Sequence, residues 1–119
     1  MRDSDENAKT YAFAIDHLEN QIECFKAMQK VLEHFNNSNW EFYRVDNGSG
    51  FWLKSPSGKS FAIHYKHGHY GDLEQSIEVN NYNFYSNKDE KYTNFEISPD
   101  LADKIIEHLY KFEEKPLNY

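Results

Sequence analysis

The fold is decided by residues 40–66, with the sequence WEFYRVDNGSGFWLKSPSGKSFAIHYK. Apolar and polar side chains alternate along this segment, and two groups of turn-forming residues interrupt the alternation at 46–50 and 55–58. A period of two indicates β-strands, and Pro56 followed by Gly58 is typical of a type I turn. Connections this short cannot join parallel strands, so the segment predicts three antiparallel strands over 40–45, 51–54 and 60–66.

The same alternation returns later in the chain. It covers residues 73–79 and 92–97, which predicts a fourth and a fifth strand. We expect Thr93, Phe95 and Ile97 to face the core, because they share one side of the fifth strand.

A long helix is predicted ahead of the strands, over residues 7–35. Its apolar residues recur at steps of three and four and form a single stripe, which we expect to pack on the sheet. Residues 36–38, Asn-Asn-Ser, are expected to end the helix. The stripe consists of Tyr11, Ile15, Leu18, Ile22, Phe25, Met28, Leu32 and Phe35.

A second helix is predicted to begin at the sequence Ser98-Pro99-Asp100. The Ser98 hydroxyl is expected to cap it, and proline is favoured at the first helical position. Four apolar residues at helical spacing then form its inward face: Leu101, Ile105, Leu109 and Phe112.

The order of elements predicts an α+β fold with a long N-terminal helix, an antiparallel meander of about five strands and a C-terminal helix. Both helices are expected to pack on the sheet, and the pattern leaves open whether they cover one face of it or both. A length of 119 residues predicts one domain over 1–119, with short tails at 1–6 and 115–119.

Composition restricts the classes of function and the compartment. The net charge of −7 argues against nucleic acid as a partner, because such binding depends on Lys and Arg contacts to phosphates. A lone Cys24, no signal-peptide pattern and no long apolar segment predict a cytoplasmic protein without membrane contact.

No catalytic or cofactor-binding motif is present in the sequence, so we expect neither an enzyme nor a bound cofactor. The chain has no Cys-x-x-Cys pair and no glycine-rich nucleotide fingerprint. Cys24 stands between the apolar stripe and the polar side of the predicted helix, where a small hydrophobic role explains it better than nucleophilic chemistry.

Three histidines lie close together at the end of the third strand and in the loop that follows. Imidazole and carboxylate groups are the usual ligands of zinc, so His64, His67 and His69 are the candidate metal ligands. The spacing matches no established metal motif, and a solvent-exposed loop explains the same residues.

Aromatic residues are more frequent than folding alone requires, at 17% of the chain. Several occupy positions predicted to face away from the core, where tyrosine and tryptophan often anchor protein interfaces. A sheet covered on both faces would also account for them. These residues are Tyr43, Trp52, Tyr70, Tyr82, Tyr85, Tyr92 and Tyr110.

The first functional hypothesis is a small acidic protein that binds and inhibits a toxin or nuclease by occluding its basic active site. In size, charge and lack of motif the chain resembles bacterial immunity proteins and phage-encoded inhibitors of host nuclease complexes. The alternatives are a metal- or ligand-binding protein that uses the histidine loop, and a homo-oligomeric structural subunit, such as a homodimer. The expected partner contacts are Glu19, Glu23, Tyr70, Asp72, Glu74, Glu78 and Tyr82.

Overall fold

The computed structural model describes residues 4–46, 50–66, 75–81 and 92–114, with side chains described from residue 11 to 43 and from 50 onward within these ranges. Two helices and five strands are formed by these residues. In chain order they are α1 (Ser4–Phe35), β1 (Glu41–Asp46), β2 (Gly50–Lys54), β3 (Ser60–Lys66), β4 (Ser76–Asn81), β5 (Tyr92–Glu96) and α2 (Leu101–Glu114).

The strands form one sheet in the order β1-β2-β3-β4-β5, and each adjacent pair is antiparallel. Strand neighbours in sequence are therefore neighbours in space, which confirms the predicted meander and the α+β class. β3 lies at the centre, where Ile63 pairs with Phe51 on one side and with Val79 on the other. All three side chains are buried.

Both helices pack on the same face of the sheet, which answers the question that the sequence leaves open. Their buried residues join the inward residues of the strands in one apolar cluster. The cluster takes Val31 and Phe35 from α1, and Ile105 and Leu109 from α2. It also includes Phe51, Leu53, Phe61, Ile63, Ile77 and Val79 from the sheet.

α1 ends where the sequence predicts. The amide of Asn36 donates to the carbonyl of Leu32 at 3.0 Å, and Asn37 then adopts a left-handed φ of 60°. Asparagine tolerates this conformation better than most residues, which explains why the helix stops here. The Ser38 hydroxyl donates to the carbonyl of Phe35 at 2.6 Å and satisfies one of the last carbonyls of the helix.

The prediction that Ser98 caps the second helix is wrong by two residues. The carbonyl of Asp100 accepts the first bond of the helix, from the amide of Lys104 at 3.0 Å, so Asp100 is the capping residue. The Ser98 hydroxyl donates instead to Asp100 Oδ1 at 2.9 Å. This bond, aided by Lys104, holds the pKa of the Asp100 carboxyl below its usual range.

The turn between β2 and β3 is docked against the C-terminal end of α2. Lys59 is buried, and its ammonium donates to the carbonyls of Phe112 at 2.8 Å and Glu113 at 2.5 Å. The amide of Ser57 donates to Glu113 Oε1 at 3.1 Å. A positive group at the negative end of a helix satisfies carbonyls that have no partner within the helix.

The prediction that the whole apolar stripe of α1 packs on the sheet is wrong for its first half. Met28 and Phe35 are buried as expected, but the side chains from Tyr11 to Phe25 in the stripe are exposed. The face that packs on the sheet is instead formed by Cys24, Ala27, Met28, Val31 and Phe35. α1 therefore carries two apolar faces, separated by about 145° around the helix axis at 3.6 residues per turn.

α1 is also much longer than the sheet on which it packs. A helix of 32 residues is about 48 Å long, whereas a strand of five to seven residues spans about 17–23 Å. The molecule is elongated as a result, with extents of 62 × 32 × 24 Å. Its radius of gyration is 17.1 Å, compared with about 13.5 Å for an average domain of this length.

Replacement of Lys59 tests the docking of the turn on α2. We expect Lys59→Met to lower the free energy of unfolding by about 1–3 kcal/mol, because two helix carbonyls lose a charged donor while most of the packing is kept. Urea denaturation measures the loss. The matched control is Lys54→Met, which removes an exposed lysine from the same hairpin. Equal effects of the two substitutions would contradict this role of Lys59.

Candidate functional site

The N-terminal half of α1 presents an apolar stripe that the rest of the described chain leaves largely exposed, although its last residue, Phe25, lies 5.0 Å from the ring of Tyr65 on the sheet. The side chains are exposed by 71% at Tyr11, 53% at Ile15, 55% at Leu18, 50% at Ile22 and 37% at Phe25. Their steps of four, three, four and three align them along about 21 Å of the helix. We call residues 11–25 the free half of α1 and these five side chains the apolar stripe.

An edge of carboxylates lies beside the apolar stripe. Asp16, Glu19 and Glu23 are exposed and lie on one side of the helix, opposite the half-buried His17. No lysine or arginine occurs between Tyr11 and Phe25. The free half therefore combines an apolar surface with an uninterrupted acidic edge, formed by Asp16, Glu19 and Glu23.

A polar contact fixes the free half to the sheet at a single turn of the helix. The buried Gln75 donates from Nε2 to the carbonyl of His17 and to His17 Nδ1, both at 2.9 Å. Its Oε1 accepts from the hydroxyl of Tyr65 at 2.6 Å. This hydrogen-bond network and the ring of Phe25, which lies 5.0 Å from that of Tyr65, hold the free half to the sheet.

The structure separates the predicted partner contacts into two groups. Glu19 and Glu23 lie on α1, on the helix-covered side of the sheet. Glu78 projects from the opposite face of the sheet, because its neighbours Ile77 and Val79 belong to the core.

Two of these carboxylates have basic partners. Glu23 lies 3.7 Å from Lys26, and Glu78 accepts from Lys66 at 3.3 Å. The remaining predicted contacts, Tyr70, Asp72, Glu74 and Tyr82, lie outside the described residues.

The histidine hypothesis stays a prediction. His64 is half-buried on the face of the sheet opposite the helices, with its ring edge-on to Trp52 at 6.1 Å. His67 and His69 lie outside the described residues. Within the described ranges, no group of three or more His, Cys, Asp or Glu side chains has the arrangement of a metal site.

The predicted outward aromatics occupy two different surfaces. Tyr43 and Tyr92 are exposed by 49% and 50% on the face of the sheet opposite the helices, where Tyr43 lies 5.8 Å from the half-buried Trp52. Tyr110 is 42% exposed on α2, but its hydroxyl lies 2.9 Å from His34 Nε2 and its ring packs on Trp40. Tyr70, Tyr82 and Tyr85 lie outside the described residues.

Cys24 has the hydrophobic role that the sequence predicts, although its position differs from the prediction. Its side chain is fully buried in the core rather than at the border of the exposed stripe. Burial, with a smaller effect of Glu23, raises the pKa of the thiol to about 11. A thiol that stays protonated in an apolar environment is a poor nucleophile.

Comparison with known proteins adds no family: no protein-family model, curated protein or solved structure matches the chain. Among the described helices, none is both long enough and apolar enough to cross a membrane.

Alkaline pH tests the burial of Cys24. Its pKa of about 11 in the folded protein lies above the ordinary value of 9.0, so the unfolded chain loses this proton first. The contribution of the protonated thiol to the free energy of unfolding is fully present below pH 9 and is lost as the pH rises toward 11. Burial also raises the pKa of Tyr65, which adds to the loss at the upper end of this range.

We therefore expect the urea midpoint, measured under reducing conditions, to fall less steeply with pH in Cys24→Ala than in the unchanged protein. Identical pH slopes for the two proteins would contradict the burial of this thiol.

Proposed function

We propose that this protein acts without catalysis, by binding another protein through the free half of α1, as a small acidic inhibitor of the immunity-protein type. The target is expected to present a basic surface, such as the active-site cleft of a toxin or nuclease. The acidic edge faces the basic residues of the cleft in this proposal.

The exposed apolar stripe is the observation that carries the proposal. Five large apolar side chains in one row leave about 500 Å² of surface uncovered, since a large aromatic side chain alone carries about 150–250 Å². A contiguous apolar surface of this size equals the largest patch of a typical monomer, and that patch is often functional. A helix also gains most of its stability from packing, so an uncovered half-helix favours a partner.

Charge supports the choice of a basic target. The chain has a net charge of −7, and Asp16, Glu19 and Glu23 follow one another along the free half without a cation between them. Opposite potentials on two proteins accelerate their encounter and disfavour wrong partners. A basic protein surface meets these requirements better than nucleic acid, whose phosphates the same carboxylates repel.

Site-specific photocrosslinking in the native host tests the proposal. A benzoylphenylalanine is placed at Ala12, which is exposed on the free half, and at Glu107, which is exposed on α2. We expect a basic protein to be captured from position 12 and not from position 107. Mass spectrometry identifies the captured chain.

Charge reversal supplies the matched control. Glu19→Lys with Glu23→Lys is expected to reduce capture at least about tenfold, because like charges then face the target. Asp103→Lys with Glu107→Lys changes the net charge equally but lies on α2, where both residues are exposed. The proposal fails if both double variants lose capture equally, or if position 12 captures no protein.

A further inference from the structure

We infer that the apolar stripe of α1 pairs with the stripe of a second copy of this chain, as a short parallel two-stranded coiled coil. The inference rests on the proposed role of the free half as a binding surface and names the occupant of its apolar side in the absence of the target, which competes with the second copy for the stripe. The acidic edge is left outside the pair and remains available to a different protein.

The spacing of the stripe matches a coiled-coil seam. Steps of four and three repeat every seven residues, which is the a/d pattern that keeps one row of side chains facing a partner helix. Ile15 and Ile22 occupy a positions, whereas Tyr11, Leu18 and Phe25 occupy d positions. β-branched residues at a with leucine at d favour parallel pairs of two strands, and Leu18 at the central d position meets this pattern between Ile15 and Ile22.

The residues that flank the seam are compatible with a parallel pair. In this arrangement each g residue faces the following e residue of the other chain. The facing pairs are Ala14 with Glu19 and Gln21 with Lys26, so no pair brings like charges together. Asp16 and Glu23 lie at b positions, away from the seam.

The bodies of the two copies leave most of the seam free: among the described residues Phe25 contacts its own sheet, at 5.0 Å from the ring of Tyr65, and the seam from Tyr11 to Ile22 is exposed. The face of α1 that packs on the sheet lies about 145° around the helix from the stripe. Two copies related by a two-fold axis along the seam therefore direct their sheets away from one another. The C-terminal half of each helix stays in its own core through Val31 and Phe35, which are 0% and 1% exposed.

The area of the seam predicts a weak dimer. The five side chains contribute about 500 Å² per copy, or about 1,000 Å² in total, and stable specific interfaces start at about 1,200 Å². Association at high protein concentration is the expected behaviour, with a dissociation constant in the micromolar range or above.

Analytical ultracentrifugation of the pure protein over about 1 μM to 1 mM measures this association. We expect the mass to rise from that of the 14.2 kDa chain toward twice that value. Leu18→Glu is expected to weaken association at least about tenfold, because it introduces a charge into the seam. The matched control Asn39→Glu adds the same charge at an exposed site outside α1 and is expected to leave association unchanged.

The orientation of the pair is tested by oxidation of single cysteines in a Cys24→Ala background. Tyr11→Cys is expected to form a covalent dimer, because equivalent residues face each other only in a parallel pair. Asp16→Cys, on the same helix but away from the seam, is expected to remain monomeric. Failure of Tyr11→Cys to crosslink more than Asp16→Cys overturns the parallel arrangement.

The outcomes separate this inference from the proposed function. A monomer at every concentration, or equal association of Leu18→Glu and Asn39→Glu, overturns the pairing while capture from position 12 still tests the target. A dimer without capture from position 12 supports the pairing and removes the inhibitor proposal. Circular dichroism and urea midpoints at low concentration verify that each variant is folded.

Discussion

The arrangement depends on a mismatch of length between one helix and the sheet that it packs on. β-Strands of five to seven residues cannot cover a helix of 32 residues, so the core takes the C-terminal half of α1 and leaves the N-terminal half outside. The elongated shape follows from this mismatch. The stripe is exposed for a second reason, because it lies on a face of α1 that is turned away from the sheet.

Local patterns predict the elements well because the relevant chemistry is local. Pro56 and Gly58 determine the turn between β2 and β3, and Asn37 ends α1 through its left-handed backbone. The predicted strand over 60–66 agrees with β3 at both ends. The prediction of the cap at Ser98 fails because Asp100 offers an equally suitable side chain two residues later, and local propensity does not distinguish them.

The candidate site is harder to predict because it depends on which apolar residues of α1 pack on the sheet and which stay exposed. Helical periodicity places Tyr11 and Met28 in the same stripe, yet the first is exposed and the second is buried. The sequence does contain a second row at Cys24, Val31 and Phe35, and two apolar rows on one helix are a signal of two partners. The separation of Glu19 from Glu78 by the sheet requires the topology and cannot be read from spacing alone.

The division of α1 into a packed half and an exposed half has a consequence for how such a chain evolves. The side chains of Tyr11, Ile15 and Leu18 are more than half exposed, so substitutions there alter recognition at little cost in stability. Substitutions at Val31 or Phe35 have the opposite effect, because they create cavities. Related proteins can therefore acquire new partners through substitutions in the N-terminal half of α1, while the residues of the core stay the same.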